Sequence, residues 1–387
     1  MRGGCAGTGG AGARPVRMRG ETRWMRLVRG ETRDVWERLA TAGLWAASVG
    51  YGAALRVHHA GYQLGLARRT RLGAKVISIG NLTLGGTGKT TATVAVARWL
   101  SDKGVRVGVL SRGYRGCGES RGLVVSEGFG PLVEAGQAGD EAFMMARALP
   151  GAFVLVGKDR RRTGRRAVAE FGVEVLVLDD GFQYQRLKKD VEVVLVDALA
   201  PFGYDFLVPR GLLREPARHL ARADAVWLTH CDLVRRRDLE GILARVRGLA
   251  PGARVWESAH SPVRLKGLGN AEERGPEALR ERRVCALSSL GNPGAFERTL
   301  ARMGAVVVEK ARFPDHHKYR PEDLAGLLEG QARSVDWVVT TEKDAVRLPE
   351  VDVGKPMWAL EVELAGWGGA ATLGEELDSL LKDRIAT

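Results

Sequence analysis

A glycine-rich loop between an apolar strand and an apolar helix carries the clearest chemistry in the sequence. KVISIG (75–80) is followed by NLTLGGTGKT (81–90) and then by TATVAVARWL (91–100). Backbone N–H groups of such a loop, at the N-terminus of a helix, bind phosphate oxygens. The spacing therefore predicts a nucleotide-phosphate site formed by Thr83, Leu84, Gly85, Gly86, Thr87, Gly88, Lys89 and Thr90.

Two side chains of this loop have predicted roles toward a nucleoside triphosphate. Lys89 would reach the β- and γ-phosphate oxygens, and the Thr90 hydroxyl would bind Mg²⁺. The usual pattern, GxxxxGK[ST], has glycine where this chain has Thr83. Because GGTGKT is intact and stands between a strand and a helix, we expect a P-loop.

Acidic residues at the end of a second apolar strand are the expected partners of the metal ion. VEVLVLDD (173–180) ends in Asp179 and Asp180, and open α/β sheets bind ligands at the carboxyl ends of their strands. Asp197, at the end of another apolar run, is the competing candidate. A single acid at a strand end is more often a cap, so the adjacent pair is favoured.

Phosphoryl transfer to an alcohol also requires a carboxylate that accepts the hydroxyl proton. GDEAFMMARAL (139–149) places Asp140 and Glu141 at the start of a predicted helix, where N-capping is the competing interpretation. FPDHHKY (313–319) places two adjacent histidines in a loop. Because neighbouring residues of an extended segment point in opposite directions, we expect no metal site made by both histidines. The other interpretation is that one of the two histidines orients or protonates a group near the active site.

The elements that must position these residues follow from nine short apolar runs separated by helical stretches. Uninterrupted β-branched runs are typical of parallel strands buried on both faces, so the sequence predicts a doubly wound α/β fold. The runs are 75–80, 105–111, 153–157, 173–180, 191–198, 225–230, 283–289, 305–309 and 336–344.

The order of these segments predicts a division of the chain. An arginine-rich polar stretch from Asp232 to Glu281 separates the sixth run from the seventh. The predicted parts are a basic disordered extension (1–30), an N-terminal membrane-associated helix (31–70), a P-loop kinase core (71–232), a second and smaller α/β domain (233–365) and a C-terminal helix (366–387).

Composition narrows the class of protein. The chain has 387 residues, of which 45% are hydrophobic and 27% charged, and this excludes wholesale disorder. Its four cysteines form no CxxC pair, so neither a zinc motif nor a disulfide framework is expected. The net charge is +13, and residues 1–30 hold seven arginines against one acid. Because no nucleic-acid-binding motif accompanies these charges, we favour an anionic membrane surface or a phosphate-bearing substrate over nucleic acid; a solvated basic face is the simpler alternative.

An uncharged run, 39–55, lies in the predicted N-terminal helix. It is shorter than the roughly 20 apolar residues that a spanning helix needs. One helical stripe either packs on the protein's own core or lies at a membrane interface. Its members are Leu44, Tyr51, Leu55, His58, Tyr62 and Leu66.

Nine motifs in this order resemble the tetraacyldisaccharide 4′-kinases of lipid A biosynthesis. The likeness runs from about residue 35 to about 385. The motifs are ISIGNLTLGGTGKTT (77–91), SRGYRG (111–116), GDEAFMMA (139–146), KDRRRTG (158–164), LVLDDGFQYQRL (176–187), VDALAPFGYDFLVPRGLLREP (196–216), SSLGNPGAFERTL (288–300), FPDHHKY (313–319) and TTEKDAVRL (340–348). The chain departs from the family at Thr91, where the family usually has proline, and in the basic opening segment.

The resemblance implies transfer of the ATP γ-phosphoryl group to the 4′-hydroxyl of a tetraacylated glucosamine disaccharide 1-phosphate, which gives lipid IVA. It implies a catalytic dyad of Asp140 with His316, and ATP and Mg²⁺ as cofactors. Metal ligands would be Glu141, Asp179 and Asp180 together with Thr90, and Arg214 with Glu215 would line the substrate site. Candidates for the 1-phosphate are Arg112, Arg115, Arg160 and Arg161.

The resemblance also implies a monomeric enzyme held at the cytoplasmic face of the bacterial inner membrane by its N-terminal helix. The alternative function is a P-loop GTPase of the switch or metallochaperone type. Such proteins recognise guanine through an NKxD-type motif after a strand. In this chain THCD (229–232) has the comparable position but lacks the asparagine and the lysine.

Overall fold

The structure is a computed structural model. It describes residues 23–270, 272–314, 317–325, 327, 334–349, 352–368 and 372–385.

The described residues form a helical N-terminal segment followed by alternating strands and helices. The helices are α1 (Arg23–Val28), α2 (Val35–Gln63), α3 (Lys89–Asp102), α4 (Ala135–Ala138), α5 (Asp140–Ala148), α6 (Arg160–Phe171), α7 (Arg236–Leu249), α8 (Pro293–Arg302), α9 (Pro321–Ala325), α10 (Glu342–Ala345) and α11 (Leu373–Ile385). The strands are β1 (Lys75–Asn81), β2 (Val107–Ser111), β3 (Leu123–Glu127), β4 (Phe153–Val156), β5 (Val175–Leu178), β6 (Val191–Asp197), β7 (Ala225–Thr229), β8 (Arg254–Gly267), β9 (Glu273–Arg274), β10 (Arg283–Ser288), β11 (Val306–Arg312), β12 (Trp337–Thr341) and β13 (Met357–Gly366).

All these strands belong to one mixed sheet. Their order is β11-β10-β12-β13-β8-β7-β6-β1-β5-β2-β4-β3, and β9 pairs with β8. The P-loop strand β1 lies between β5 and β6, parallel to both. The α/β fold and all nine predicted strands are confirmed. Because β1, β5, β6 and β7 are parallel, their carboxyl ends lie at one edge, where ligands bind in such sheets.

Strands β8 and β13 were not predicted. Residues 254–257 of β8 pair with β7 in parallel, and residues 258–267 pair with β13 in the antiparallel sense. Buried and partly exposed positions intermingle along β8, so it lacks the apolar run that marks a strand buried on both faces. The stretch 232–281, expected to separate two domains, therefore contains α7 and a strand that continues the sheet. The domain boundary at 232/233 stays a prediction.

The C-terminal helix α11 packs against the first half of the chain. Leu377, Leu380 and Leu381 of α11 are buried in the same core cluster as Val96 and Leu100 of α3. The predicted C-terminal helix (366–387) thus corresponds to a helix that begins at Leu373. Its burial ties the end of the chain to the helix that follows the P-loop.

The N-terminal extension departs from the prediction of disorder. Residues 1–22 lie outside the described part of the chain, but residues 23–28 form α1. Leu27 and Val28 are buried, and the Trp24 indole donates a hydrogen bond to the Pro209 carbonyl (2.9 Å). The prediction was wrong for this segment because its apolar residues, scattered among arginines, pack on the folded chain.

Helix α2 places its predicted stripe on the protein rather than away from it. Leu44, Tyr51, Leu55 and Tyr62 are partly buried, and the Tyr51 hydroxyl donates to the Arg214 carbonyl (2.8 Å). Part of the stripe therefore packs on the protein, whereas His58 and Leu66 are exposed. Membrane association of the helix stays a prediction.

A second apolar surface of α2 faces outward. With about 100° between successive residues of an α-helix, its members cover about half of the helix circumference. They are Val35, Trp36, Leu39, Trp45, Val49 and Val57, and we call them the outer face of α2. Among the described residues, no helix is both long and apolar enough to cross a membrane.

Candidate active site

The P-loop lies at the carboxyl edge of the sheet, between β1 and α3. Gly85 and Gly88 have positive φ angles of 111° and 85°, a conformation that favours glycine. A Cβ atom on Gly88 would lie 3.2 Å from the His260 Nε2, so the loop also passes close to β8. The Leu84 N–H donates to the Leu212 carbonyl (2.7 Å), which fixes the other side of the loop.

Buried polar contacts hold the base of the loop. The Asn81 amide donates to the Thr87 hydroxyl (2.9 Å), and the Thr229 hydroxyl donates to the Thr87 carbonyl (3.3 Å). Asn81 and Thr87 are both buried. The conformation of the loop is therefore set by the ends of β1 and β7 before any nucleotide binds.

Asp180 forms the central ion pairs of the site. Its two carboxylate oxygens accept from both terminal nitrogens of Arg214 (2.7 and 3.0 Å), and Lys89 Nζ lies 3.8 Å from Oδ1. Burial alone would raise the pKa of Asp180, but Lys89 and Arg214 outweigh it and hold the pKa below its usual range. Asp180 therefore stays ionised and orients the lysine that is predicted to reach the phosphates.

The adjacent carboxyl group, Asp179, has the opposite electrostatics. It is buried and accepts hydrogen bonds from the Ser111 hydroxyl (3.0 Å) and the Thr93 hydroxyl (3.3 Å). Burial, with the nearby charges of Glu141 and Asp180, raises its pKa to about 7. Glu141 and Asp180 lie close enough to Asp179 to raise its pKa, and the three carboxyl groups supply oxygen donors of the kind that Mg²⁺ prefers. Their role as magnesium ligands together with Thr90 stays a prediction.

Asp197, the competing acid, has other partners. It pairs with the His230 Nδ1 (2.9 Å) and accepts from the Leu199 N–H (3.0 Å). His230 in turn stacks on His260, with ring centroids 4.2 Å apart. These contacts account for Asp197 as a structural residue next to the loop.

Asp140 and Glu141 begin α5, and both pair with the segment 340–347. Gly139 is the N-cap and no side chain caps the helix, so N-capping does not explain Asp140. Asp140 Oδ2 accepts from the Arg347 Nε (2.7 Å), and Glu141 lies 3.3 Å from Lys343 Nζ. Residues from the far end of the sheet therefore reach across to the predicted catalytic acid.

Arg347 is itself held in place by buried groups. Its side chain is 3% exposed, and it donates to the Ser289 hydroxyl (3.1 Å) and to Asp344 (3.5 Å). Asp344 is fully buried. These buried contacts restrain Arg347, which in turn fixes the position of the Asp140 carboxylate.

The two histidines of the 313–319 motif differ. His316 lies outside the described residues, so its pairing with Asp140 stays a prediction. The His317 Nε2 contacts Asp323 Oδ2 (2.9 Å), and its ring stacks on Phe313 with centroids 4.9 Å apart. His317 therefore packs its own loop.

Arg214 and Glu215 have different surroundings, although they are adjacent in the chain. Arg214 braces Asp180 and also donates to the Asn81 side-chain oxygen. Glu215 is only 1% exposed, and its Oε2 lies 2.7 Å from the His219 Nδ1 and 3.0 Å from Arg222. These partners outweigh burial and hold its pKa below the usual range. Any effect of Glu215 on a substrate would pass through the cationic groups around it.

The four candidate phosphate-binding arginines are not equivalent. Arg160 is buried, lies over the Tyr184 ring at 4.9 Å and feels the charges of Asp180 and Asp179. Arg112 pairs with Glu119 (2.5 Å) and Arg161 with Asp159 (2.7 Å). Arg115 lies over the Tyr114 ring at 5.5 Å.

Several residues of the site were missed by the sequence analysis. Asn81 precedes the loop in GNLTLGG, and its position directly after a strand is the only local signal that could have found it. Lys343 and Arg347 lie within a recognised motif but had no assigned role, since a partner 207 residues away leaves no trace in local spacing. His260 lies in β8, which was not predicted.

A phosphate-binding loop with its lysine, an acid pair at the end of the neighbouring strand and a further carboxylate form the site of a P-loop phosphotransferase. The comparisons specify the class. A family model described as tetraacyldisaccharide-1-P 4′-kinase matches residues 40–382. The chain is 47% identical to the tetraacyldisaccharide 4′-kinase of Anaeromyxobacter dehalogenans (strain 2CP-C), over 80% of this chain and 82% of the relative. It is 36% identical to that of Halothermothrix orenii, over 88% and 91%.

A solved structure gives the same result. The chain superposes on LpxK from Aquifex aeolicus, solved in complex with ATP, with a TM-score of 0.67 and 29% identity over 89% of this chain and 99% of that one. The chain belongs to the tetraacyldisaccharide 4′-kinase family. The resemblance that the nine motifs indicated is confirmed, and membership in this kinase family disfavours the GTPase alternative.

The contact between Asp140 and Arg347 can be tested by a double-mutant cycle of Asp140→Asn and Arg347→Gln. We expect a coupling free energy of about 1 kcal/mol in urea unfolding, since Asp140 is partly exposed and solvent screens the pair. Arg347→Gln alone should destabilise more than Asp140→Asn, because buried Asp344 loses a partner.

The neighbouring pair Glu141 and Lys343 is the matched control. Its atoms are farther apart and both side chains are partly exposed, so Glu141→Gln with Lys343→Gln should couple by less than about 0.5 kcal/mol. Equal coupling in the two cycles would contradict the special role of Arg347.

Proposed function

We propose that the protein transfers the γ-phosphoryl group of ATP to the 4′-hydroxyl of a tetraacylated glucosamine disaccharide 1-phosphate, giving lipid IVA. Family membership supports the reaction, and the observation that carries it is the placement of Lys89. The ion pair with Asp180 holds this lysine, the first residue of α3, beside the phosphate loop. Positioning and charge stabilisation are the main demands of phosphoryl transfer.

The residues of the site divide the work between phosphates and acceptor. The loop N–H groups bind the β-phosphate, and Lys89 neutralises charge that develops on the transferred group. Thr90, Asp179, Asp180 and Glu141 would hold Mg²⁺, whose charge would offset that of the phosphates. Arg214 keeps Asp180 ionised and in place, so it is a positioning residue.

Asp140 is the proposed acceptor of the hydroxyl proton, directly or through His316. A carboxylate paired to Arg347 is held in one orientation, which favours an in-line approach of the hydroxyl oxygen. The acceptor hydroxyl would share the Asp140 carboxylate with Arg347 when it binds. His316, which precedes α9 in the sequence, would share the proton.

The outer face of α2 is the proposed contact with the membrane. Trp36 and Val57 are 75% and 74% exposed. Arg68, Arg69 and Arg71 follow the helix and are exposed, which suits anionic headgroups. We propose a monomer bound peripherally at the cytoplasmic face of the inner membrane, with the acyl chains of the substrate left in the bilayer.

Lys89→Ala tests the phosphate loop. We expect kcat with ATP and the tetraacylated disaccharide 1-phosphate to fall by about 100-fold or more, the usual effect of losing a charge-stabilising contact. Lys103→Ala, at the other end of α3 and paired with Asp378 on the surface, is the control and should keep wild-type activity. A Lys89→Ala enzyme with more than about a tenth of wild-type kcat would refute the role.

Asp140→Asn and His316→Ala test the dyad. Each should lower kcat by roughly 10²–10⁴-fold, since each removes a proton-transfer group. The double variant should be little worse than either single variant, because residues that act as a unit are not additive. His317→Gln, which can still donate to Asp323, should keep most activity. Additive losses would break the dyad assignment and leave the kinase function standing.

Val49→Glu with Val57→Glu tests the outer face of α2. Burial of a valine contributes about 1.5–3 kcal/mol, so we expect binding to anionic phospholipid vesicles to fall by at least about 10-fold in flotation. Val306→Glu, an exposed valine of β11, is the matched control and should float like wild type. Equal flotation of all variants would place the membrane contact elsewhere.

A further inference from the structure

Two histidines and a glutamate from separate segments converge where α2 meets the loop after Arg214. His59 belongs to α2, Glu215 follows Arg214, and His219 lies four residues beyond Glu215. Glu215 Oε2 is 2.7 Å from the His219 Nδ1 and 3.4 Å from the His59 Nε2. One ligand atom from each side chain lies within 4.8 Å of the other two.

The donor set and its spacing are those of a transition-metal site. Imidazole and carboxylate groups together are typical zinc ligands, bound at about 2.0–2.2 Å in a tetrahedral shell. Ligand atoms of such a shell lie about 3.3 Å apart, as follows from those bond lengths. The 2.7 and 3.4 Å separations bracket this value, and the ligand atoms of the third pair lie within 4.8 Å of each other.

We propose that His59, Glu215 and His219 bind one divalent transition-metal ion, best matched by Zn²⁺. Three protein ligands leave the fourth position to water or to an anionic group of a ligand. Glu215 is buried, whereas the His59 and His219 side chains keep 13% and 20% exposure, which gives the ion a path of entry. This site is separate from the magnesium ligands and uses nitrogen donors that magnesium avoids.

Arg222 is the group that opposes the ion. Its Nη2 lies 3.0 Å from Glu215 Oε2, and its Nη1 lies 3.5 Å from the His59 Nδ1. The guanidinium also lies over the Phe182 ring at 4.0 Å, so it stays near the cluster. A cation and Arg222 must share the charge of Glu215. Arg222 therefore weakens binding of the ion without preventing it, and removal of its charge should strengthen binding.

A bound ion would join α2 to the catalytic half of the protein. Arg214, which braces Asp180, is the neighbour of Glu215 in sequence, and its carbonyl accepts from Tyr51 of α2. An ion held by His59 and Glu215 would add a second link at the same place. Occupancy would fix the angle at which α2 leaves the protein.

Titration of the full chain with Co²⁺, after chelation and without ATP or Mg²⁺, tests the site. We expect one equivalent of Co²⁺ to give the visible absorption of a tetrahedral ion, and Zn²⁺ to displace it. His59→Ala and His219→Ala should each weaken binding by about 100-fold, and His219→Cys should restore it with a thiolate charge-transfer band, which also shows that the variant folds. His58→Ala, on the same helix and exposed, should bind like wild type.

Arg222→Gln separates a metal site from a hydrogen-bonded cluster. Removal of its charge should tighten Zn²⁺ binding by at least about 10-fold. Absence of the tetrahedral spectrum in wild type and in Arg222→Gln, equal losses in His58→Ala and His219→Ala, or weaker binding in Arg222→Gln would overturn the proposal. None of these readouts uses kinase activity, so failure here leaves the proposed reaction untouched, and failure of that reaction leaves this site standing.

Discussion

The two-point salt bridge between Arg214 and Asp180 organises the phosphate site. Asp180 follows β5 and Arg214 lies between β6 and β7, so the salt bridge joins these two parts of the chain. Arg214 also donates to Asn81, the last residue of β1. Breaking it would leave the Asp180 carboxylate without its two-point partner. Lys89 depends on the same carboxylate for its position. The phosphate loop, its lysine and the acid pair are therefore one electrostatic unit.

Within that unit, adjacent acids serve opposite purposes. Asp180, with two cationic partners, has a lowered pKa, whereas Asp179, with hydroxyl partners and acidic neighbours, has a pKa raised to about 7. A divalent cation would stabilise the ionised form of Asp179 and relieve its repulsion with Glu141. Ionisation of Asp179 is thereby coupled to the binding of a cation.

The sequence predicted the strands that are buried on both faces better than it predicted the contacts between residues far apart in the chain. Strands such as β1 and β5 are buried on both faces, so their apolar runs are unambiguous. Strands β8 and β13 mix buried and exposed positions, so no apolar run predicted them. The P-loop and the acid pair are local patterns and were found, whereas Arg347 reaches Asp140 across 207 residues and has no local signal. Helix α2 carries apolar residues on both sides, so periodicity alone could not show which side packs on the protein.

The two apolar faces of α2 connect the surface of the protein with its catalytic centre. The inner stripe uses polar tips for specific contacts, as when Tyr51 donates to the Arg214 carbonyl. The outer face has no partner among the described residues, and six exposed apolar side chains on one helix exceed the scattered exposure that is normal for a soluble surface. The Tyr51 contact therefore links the helix that carries the outer face to the residue that braces Asp180.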